Sequence, residues 1–282
     1  MLLKDKVCVV TGASSGIGRA TAVRLRAEGA TVCAAARREE RLQDLMDQLG
    51  GTPHSYVVAD VTDQDQVRRL GTHIADVYAR CDVLINNAGI PGRRLALRDP
   101  GAVGDLERVI ATNFFGAVYC TAALLPLLQR SAPSSVVNIA SVAGRIAVGG
   151  APAYTASKFA LVGWSEALHY ELAPSGIRVT LVEPGFVSTE AFPQSDLVAN
   201  PVLRRILATD DQVAGTIIDA IAAHSFQRTV PRWYYFLQVP RVITPALFRA
   251  GVRTVMRRYG RAPRYQSETD QAKASSSSVP LP

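Results

Sequence analysis

The sequence predicts an α/β fold built on one doubly wound parallel sheet of about seven strands, with helices on both faces. Short apolar, β-branched runs alternate with helical segments of ten residues or more through the first 231 residues. A glycine-rich turn follows the first apolar run, and polar or glycine residues follow the later ones. The 282 residues, 48% of them hydrophobic and 20% charged, are enough for one large globular domain of this class.

The first predicted strand, Lys6–Thr11, leads into a glycine turn with the sequence Gly12-Ala13-Ser14-Ser15-Gly16-Ile17-Gly18. A helical pattern follows and stops at Gly29. Glycines let the backbone approach a pyrophosphate, and a helix N-terminus offers free N–H groups and a positive dipole end. The spacing G-x-x-x-G-x-G differs from the common G-x-G-x-x-G, so a purely structural turn is the alternative. We predict a phosphate-binding turn in a Rossmann-like fold.

The second predicted strand, Thr31–Ala36, ends at Arg37 and Arg38. In a Rossmann-like fold the end of this strand meets the adenosine ribose. An acidic side chain there would bind a ribose 2′-hydroxyl, whereas an arginine suits a 2′-phosphate. The sequence has two arginines and no acid at this point, which favours NADP over NAD. The alternative is that both arginines only begin the next charged helix, Glu39–Leu49.

Each later strand is also followed by a polar or glycine segment. These segments are Asp60-Val61 after Ser55–Ala59, Asn86-Asn87-Ala88-Gly89 after Asp82–Ile85, Ser141 after Ser134–Ala140, and Pro184-Gly185 after Ile177–Glu183. Because ligands of such sheets bind at the carboxyl ends of the strands, we predict that the segments form one site. The intervening helices are expected from Asp63 to about Arg80, from about Val103 to Arg130 with an early kink or end at Pro126, and through Tyr154 to about Leu172.

Tyr154 and Lys158 lie four residues apart, which on a helix puts both side chains on one face. A nearby ammonium favours the phenolate, so the tyrosine can act as an acid or base closer to neutral pH. Ser141, on the loop before this helix, could hold a substrate oxygen against Tyr154. The pair alone is also compatible with an exposed helix face. Asn113 is a second candidate, because asparagine is a poor helix former in the middle of a long helix.

With these residues in place, the chain resembles the short-chain dehydrogenase/reductase family in its smaller, single-domain branch. The motifs T-G-A-S-S-G-I-G, D-V, N-N-A-G, the mid-helix Asn, the Ser and Y-x-x-x-K occur in the family's order, followed by P-G and Thr189. The resemblance covers Leu3 to about Pro231. It implies a nicotinamide-dependent oxidoreductase that assembles as a homodimer or homotetramer through the helices carrying Asn113 and Tyr154.

The resemblance also implies the roles of individual residues. Tyr154 would exchange a proton with the substrate oxygen, and Lys158 would hold the nicotinamide ribose and depress the tyrosine pKa. Ser141 would orient the carbonyl, and Asn113 would hold a water that links Lys158 to solvent. The implied cofactor-binding residues are Gly12, Ser14, Ser15, Gly16, Ile17, Gly18, Arg37, Arg38, Asp60, Val61, Asn87, Ala88, Gly89, Tyr154, Lys158, Pro184, Gly185, Val187 and Thr189.

A basic extension follows this domain. The net charge of +7 arises in the C-terminal part, where nine arginines and no acid occur between residues 228 and 264. We predict an aromatic cluster at Trp233–Leu237 and a cationic amphipathic helix at Thr244–Arg258, within an extension over 232–261 and before a disordered tail over 262–282. The helix suits peripheral contact of 233–258 with an anionic membrane or, alternatively, packing on the lid over Phe186–Thr209 or on a partner subunit.

The sequence therefore predicts an NADP-dependent oxidoreductase that interconverts an alcohol and a carbonyl on a bulky apolar, lipid-, retinoid- or steroid-like substrate. The alternatives are an NAD-linked dehydrogenase of a small polar alcohol and a non-catalytic, nucleotide-sensing or membrane-docked protein of the same fold. Scattered cysteines without C-x-x-C pairs and the absence of a signal-peptide pattern favour a cytoplasmic protein, peripheral at the inner face of a membrane if the extension docks there. We expect no metal site and no nucleic-acid partner.

Overall fold

The computed structural model describes residues 3–93, 95–147, 150–187, 190 and 207–259. Its centre is one seven-stranded parallel sheet with the strand order β3-β2-β1-β4-β5-β6-β7. The strands are β1 (Val7–Thr11), β2 (Thr31–Ala36), β3 (Ser55–Val58), β4 (Val83–Asn86), β5 (Ser134–Ile139), β6 (Ile177–Pro184) and β7 (Gln227–Val230). The order reverses between β1 and β4, as in doubly wound sheets. The predicted fold class is confirmed.

Helices connect the strands and continue past the last one. The described helices are α1 (Gly16–Ala27), α2 (Glu39–Leu49), α3 (Gln64–Tyr78), α4 (Ala102–Ile110), α5 (Gly116–Arg130), α6 (Pro152–Leu172), α7 (Asp210–Ala222), α8 (Gln238–Ile243) and α9 (Pro245–Tyr259). Local sequence sets several of their starts. Asp63 caps α3 by accepting the backbone N–H groups of Asp65 and Gln66, and Thr209 and Gln212 form a capping box on α7.

The two faces of the sheet bury separate apolar layers. Side chains alternate along each strand, so Cys8 and Val10 face the layer with α1, α2 and α7, while Val9 faces the layer with α3, α5 and α6. Strands covered on both faces have no polar side, which explains the near-continuous apolar runs in the sequence. The four cysteines, Cys8, Cys33, Cys81 and Cys120, are free and buried in these layers, and burial raises the pKa of each thiol.

The helix before β5 differs from the prediction at Pro126. It does not end early but continues to Arg130, with Pro126 on its exposed side and Leu127 and Leu128 buried in its last turn. The alternative of a kink at Pro126 stays a prediction. The continuous stretch Ala102–Arg130 is also apolar and long enough to span a membrane by length and composition. Its fully buried Leu124 and Leu128 pack in the layer with α3, so we assign it as a core helix.

The C-terminal extension is partly attached and partly exposed. It begins with a 3₁₀ helix at Arg232–Leu237, whose Tyr234 is buried against the end of β6. The guanidinium of Arg241 lies 4.9 Å from the Phe159 ring centroid and donates a hydrogen bond to the Arg145 carbonyl. The large apolar side chains of α8 and the first turn of α9 remain exposed. The lid segment lies largely outside the described residues, as do the final residues 260–282, so the tail and lid predictions stay predictions.

Candidate active site

The predicted site segments meet at the carboxyl ends of the central strands. The glycine turn follows β1, Asn87 follows β4, Ser141 follows β5 and Gly185 follows β6. These strands are neighbours in the sheet, so the topology brings together residues that are as many as 173 positions apart in the sequence. The N-terminal half of α6 supplies Tyr154 and Lys158 to the same edge, next to Ser141.

The glycine turn fits closely against the end of β4. Gly12 has a φ of +66°, and a Cβ there would lie 2.8 Å from the Cα of Ala88. A Cβ on Gly18 would overlap the side chain of Asn87 and the carbonyl of Gly12. The Asn87 amide donates hydrogen bonds to the carbonyls of Thr11, at 3.0 Å, and Gly12, at 3.2 Å. Side chains at these two glycines would therefore push the turn away from the strand that positions it.

The N-terminus of α1 is suited to an anion. Its N-cap, Ser15, makes no capping hydrogen bond with its side chain, and no acidic residue lies in the first turn. The first N–H groups thus keep their positive partial charge, which a phosphate can neutralise. Arg38 lies over this end of the helix, where it donates hydrogen bonds to the hydroxyls of Ser15, at 2.8 Å, and Ser14, at 3.2 Å. These residues fit a diphosphate-containing cofactor.

Arg37 points away from the glycine turn toward the end of β3. Its guanidinium lies 3.6 Å from a carboxylate oxygen of Asp60 and is 68% exposed. Burial alone would raise the pKa of Asp60, but hydrogen bonds from Thr62 and the charge of Arg37 hold it below its ordinary value. Val61, the second residue of the D-V motif, is buried against Gly116 at the start of α5. From the end of β2, Arg37 thus extends toward Asp60 and Arg38 toward the glycine turn.

The buried Ser141 and Lys158 and the partly buried Tyr154 form a polar group at the end of β5. The Ser141 hydroxyl is hydrogen-bonded to the Tyr154 side chain, accepts the N–H of Ala143 at 3.1 Å and donates to the Pro184 carbonyl at 3.3 Å. The Lys158 ammonium lies 5.7 Å from the Tyr154 ring centroid. It donates a hydrogen bond of 2.8 Å to the carbonyl of Ile139. The structure therefore brings the three residues together.

Burial dominates the proton affinities of this group. It raises the pKa of Tyr154 to about 12, against a smaller lowering by the hydrogen bond with Ser141. It also lowers the pKa of Lys158 from 10.5 to about 8. In the protein by itself the pKa of Tyr154 is therefore raised by desolvation of the phenolate, and the depression that the family resemblance implies for Lys158 stays a prediction. At neutral pH the phenol is protonated and able to donate.

Asn113 lies in a π-helical turn, Ala111–Phe115, between α4 and α5. The extra residue of such a turn rotates side chains off the regular helix face and is frequent at functional sites. The Asn113 amide accepts the N–H of Ile90 at 2.8 Å and donates to the Ile90 carbonyl and the Ser157 hydroxyl, each at 3.0 Å. A Cβ on Gly89 would lie 3.3 Å from Asn113 Oδ1 and 3.7 Å from Lys158 Nζ. Asn113 and Lys158 thus flank the same glycine.

The end of β6 closes the site on the side opposite the glycine turn. The N–H of Gly185 donates to the carbonyl of Val230, and Val187 is buried and pairs with Ala208. A Cβ on Gly185 would overlap the ring of Tyr234, so this glycine is required by the close approach of the C-terminal extension. Burial raises the pKa of Tyr234 to about 12. Thr189 lies outside the described residues, and its predicted contact stays a prediction.

Sequence reasoning missed a buried ion-pair network beside the site. Glu183 is 1% exposed and accepts hydrogen bonds from Arg145, at 2.6 Å, Gln227, at 2.6 Å, and Thr229, at 3.2 Å. Arg145 also contacts Glu166 of α6 at 2.7 Å. The network ties Arg145 to β6 through Glu183 and to α6 through Glu166. An acid at the end of an apolar strand was the available signal, because a buried carboxylate needs a partner.

Replacing Lys158 with methionine is expected to stabilise the protein below pH 8. The buried ammonium is harder to protonate in the folded chain, so the unfolded chain binds this proton more tightly between about pH 8 and pH 10.4. The destabilisation of the folded protein by the buried ammonium is fully present below pH 8 and disappears as the pH rises through this window. A shift of this size corresponds to about 3 kcal/mol.

Denaturant unfolding of both proteins between pH 7 and pH 11 measures this effect. The difference in the free energy of unfolding between Lys158→Met and the wild type should narrow by about 3 kcal/mol across the range. The cysteines and Tyr154 are present in both proteins, so their titration largely cancels in the difference. A difference that stays constant with pH would show that Lys158 is not a destabilising buried charge.

Known proteins share both the sequence and this architecture. The family model for short chain dehydrogenase matches residues 6–197. The 3-oxoacyl-(acyl-carrier-protein) reductase FabG of Thermotoga maritima is 38% identical over 191 residues, 67% of this chain and 77% of the relative. Dehydrogenase/reductase SDR family member 7B of Xenopus laevis is 34% identical over 262 residues, 87% of this chain and 80% of the relative.

Two solved structures superpose on most of the chain. A short-chain dehydrogenase from Streptomyces avermitilis has a TM-score of 0.73 and 30% identity and covers 91% of this chain and 96% of its own. The NADP active-site complex of RhlG from Pseudomonas aeruginosa has a TM-score of 0.72 and 31% identity, with 80% and 94% covered. The family model and the curated relatives, on the fold described above, establish that this chain belongs to the short-chain dehydrogenase family of oxidoreductases.

Proposed function

We propose that the protein is an NADP-dependent oxidoreductase that interconverts an alcohol and a carbonyl on a bulky apolar substrate. The observation that carries this proposal is the polar group of Ser141, Tyr154 and Lys158 at the strand ends, beside a glycine turn that fits a diphosphate. When bound, a nicotinamide cofactor supplies or accepts a hydride at the substrate carbon. The chain itself must bind the cofactor, orient the substrate and move one proton.

Two groups of residues would hold the cofactor. The turn Gly12–Gly18 and the free N–H groups of α1 suit the diphosphate, and Asp60 and Val61 suit the adenine side. Lys158, buried next to Tyr154, suits the ribose hydroxyls beside the nicotinamide. Gly89 leaves room there, since any larger residue would approach both Asn113 and Lys158.

The proton step belongs to Tyr154. Its phenol and the Ser141 hydroxyl are hydrogen-bonded to each other, so both can turn toward one substrate oxygen. In the reducing direction Tyr154 donates its proton to the oxygen of the carbonyl, which becomes a hydroxyl. The resulting phenolate is stabilised by the nearby Lys158 ammonium. Alcohol oxidation takes the same path in reverse, with Tyr154 as the base.

The choice of NADP is supported by the arginines at the end of β2. Arg37 and Arg38 place two guanidinium groups around the predicted ribose position, and the sequence offers no acid in the two residues after β2 to bind a 2′-hydroxyl. The solved relative RhlG is an NADP complex, which agrees with this choice. An apolar substrate is supported by the surroundings of Gly185, where the partly exposed Phe186 lies 6.5 Å from the Tyr234 ring.

A substrate panel tests the proposal. Absorbance of the reduced nicotinamide is followed with long-chain aldehydes, steroid-like and aromatic ketones, 3-oxoacyl thioesters and small polar ketones. We include the thioesters because the relative FabG is a 3-oxoacyl reductase. NADPH consumption with apolar carbonyls is the expected result. Consumption restricted to small polar carbonyls would overturn the substrate class, and no consumption with any carbonyl, or alcohol in reverse, would favour a non-catalytic protein.

We infer that the protein assembles as a homodimer or homotetramer through α5 and α6. Both helices present an outer face of small and apolar residues, including the exposed Ala122 of α5 and Gly163 of α6. A Cβ on Gly163 would meet no other atom within 4 Å, so a partner helix can approach closely. A monomer mass in sedimentation experiments at micromolar concentration would contradict this assembly.

A further inference from the structure

The exposed apolar side chains of this protein are concentrated in its C-terminal extension. Among the described residues, fourteen large hydrophobic side chains are exposed, and seven of them lie between positions 233 and 247. The most exposed of these are Phe236 (68%), Val242 (77%), Ile243 (72%) and Leu247 (72%). A cluster of this kind marks an interaction site. We call residues 232–254 the C-terminal surface.

The same segment carries an unbalanced positive charge. Nine arginines and no acid occur from residue 228 to residue 264, and the described arginines of the C-terminal surface, Arg232, Arg241, Arg249 and Arg253, are all exposed. On α9, Phe248 and Val252 form the partly buried side, with Leu247 on one flank and Arg249 and Arg253 on the other. Large apolar side chains therefore lie beside cations on one short stretch of chain.

We propose that the C-terminal surface docks the protein on an anionic lipid bilayer. Apolar side chains enter the boundary between headgroups and acyl chains, and nearby arginines attract anionic headgroups. The half-exposed rings of Trp233 and Tyr235 suit this boundary, since each combines an apolar body with a polar atom. A second copy of this chain fits less well, because it would bring two clusters of arginines together. A nucleic acid would leave Val242, Ile243 and Leu247 without apolar partners.

The C-terminal surface is also held in a fixed place relative to the catalytic group. Tyr234 packs on Gly185, and Arg241 contacts the Phe159 ring and the Arg145 carbonyl. Arg145 is in turn fixed by Glu183 and Glu166. Docking would therefore place the segment after Ser141 and the end of β6 close to the lipid, on the side where the proposed apolar substrate enters. This orientation rests on the proposed function, but the docking itself does not.

Flotation of the full-length protein with vesicles tests the docking. We use mixed phosphatidylserine–phosphatidylcholine vesicles and pure phosphatidylcholine vesicles, at low salt and at about 1 M salt, where screening shortens the Debye length to about 3 Å. The wild type should bind the anionic vesicles at low salt and lose most of that binding either in pure phosphatidylcholine or at high salt.

The double variant Val242→Ser/Ile243→Ser should reduce the partition coefficient at least about tenfold. Arg249→Gln/Arg253→Gln should reduce it about fivefold per charge at low salt and leave it nearly unchanged at high salt.

The matched control is Val77→Ser/Leu97→Ser, which replaces two exposed apolar residues outside the surface. It should bind as the wild type does. NADPH binding by each variant reports whether the domain is intact, since none of these residues lies in the catalytic group. Absence of wild-type binding to anionic vesicles, or equal binding by Val242→Ser/Ile243→Ser, would overturn the proposal. Self-association or nucleic-acid binding that depends on Val242 and Ile243, without vesicle binding, would also overturn it and identify a different occupant.

Discussion

Phenylalanine at position 154 is expected to lower turnover of a carbonyl substrate by about 10²- to 10⁴-fold, the usual contribution of a positioned acid or base. The substitution removes one hydroxyl and keeps the ring. The contact of Lys158 with the ring, 5.7 Å from its centroid, is retained, while the hydrogen bond with Ser141 and the proton donor are lost. NADPH binding should therefore change little. Initial rates with a substrate from the panel and fluorescence titration with NADPH measure the two effects.

Tyr170→Phe is the matched control, because Tyr170 lies on the same helix and is 77% exposed. Its turnover should equal that of the wild type. Undiminished turnover in Tyr154→Phe would remove Tyr154 from the mechanism. If Tyr154→Phe lost NADPH binding as well, the residue would be needed to build the cofactor site, and the proton-transfer role would lack support.

Replacing Arg38 with alanine is expected to raise the KM for NADPH at least about tenfold more than the KM for NADH. A hydrogen bond to a charged group contributes about 1.5–3 kcal/mol, and only NADPH carries the 2′-phosphate that would receive it. Arg38 lies over the start of α1, bonded to Ser14 and Ser15 and paired with Glu190, whereas Arg37 is more exposed and is paired with Asp60 on the far side of the β2 end. Arg37→Ala should therefore show the same selectivity with a smaller effect.

Steady-state kinetics with both cofactors measure this preference for each single variant and for the double variant. Arg130→Ala serves as the control, since this exposed arginine lies at the end of α5, away from the carboxyl ends of the strands. It should leave both KM values unchanged. Equal effects of Arg38→Ala on the KM values for NADPH and NADH would mean that the arginine holds the glycine turn in place and does not bind the 2′-phosphate.

The sequence predicted the site largely because its residues follow strands. Parallel strands that are covered on both faces have continuous apolar sequences, and the residues that follow them meet at one edge of the sheet. This reasoning placed Gly12–Gly18, Asn87, Ser141 and Gly185 correctly at one edge. Helix starts could be predicted equally well, since Asp63 caps α3 through contacts with Asp65 and Gln66, only two and three residues further along the chain.

Other features depend on contacts between distant segments. Gly185 packs on Tyr234, 49 positions further along the chain, and Arg145 bonds Glu183, 38 positions further along. The sequence shows no sign of either contact. The early helix end expected at Pro126 was wrong for a similar reason, because the buried Leu127 and Leu128 pack the last turn of the helix onto the sheet. The raised pKa of Tyr154 could not be predicted either, because a four-residue spacing shows the nearby ammonium but not the desolvation of the phenol.

The chain's own pattern was thus sufficient to predict the sheet, the family and which candidate residues lie at the strand ends, because period, spacing and order along the chain are local properties. The tertiary structure was needed to show which arginine lies over the glycine turn, what Arg145 binds and which apolar residues of the extension stay exposed. These depend on burial and on through-space distances between elements. An amphipathic sequence indicates that a helix has an apolar side, and packing determines whether that side is covered.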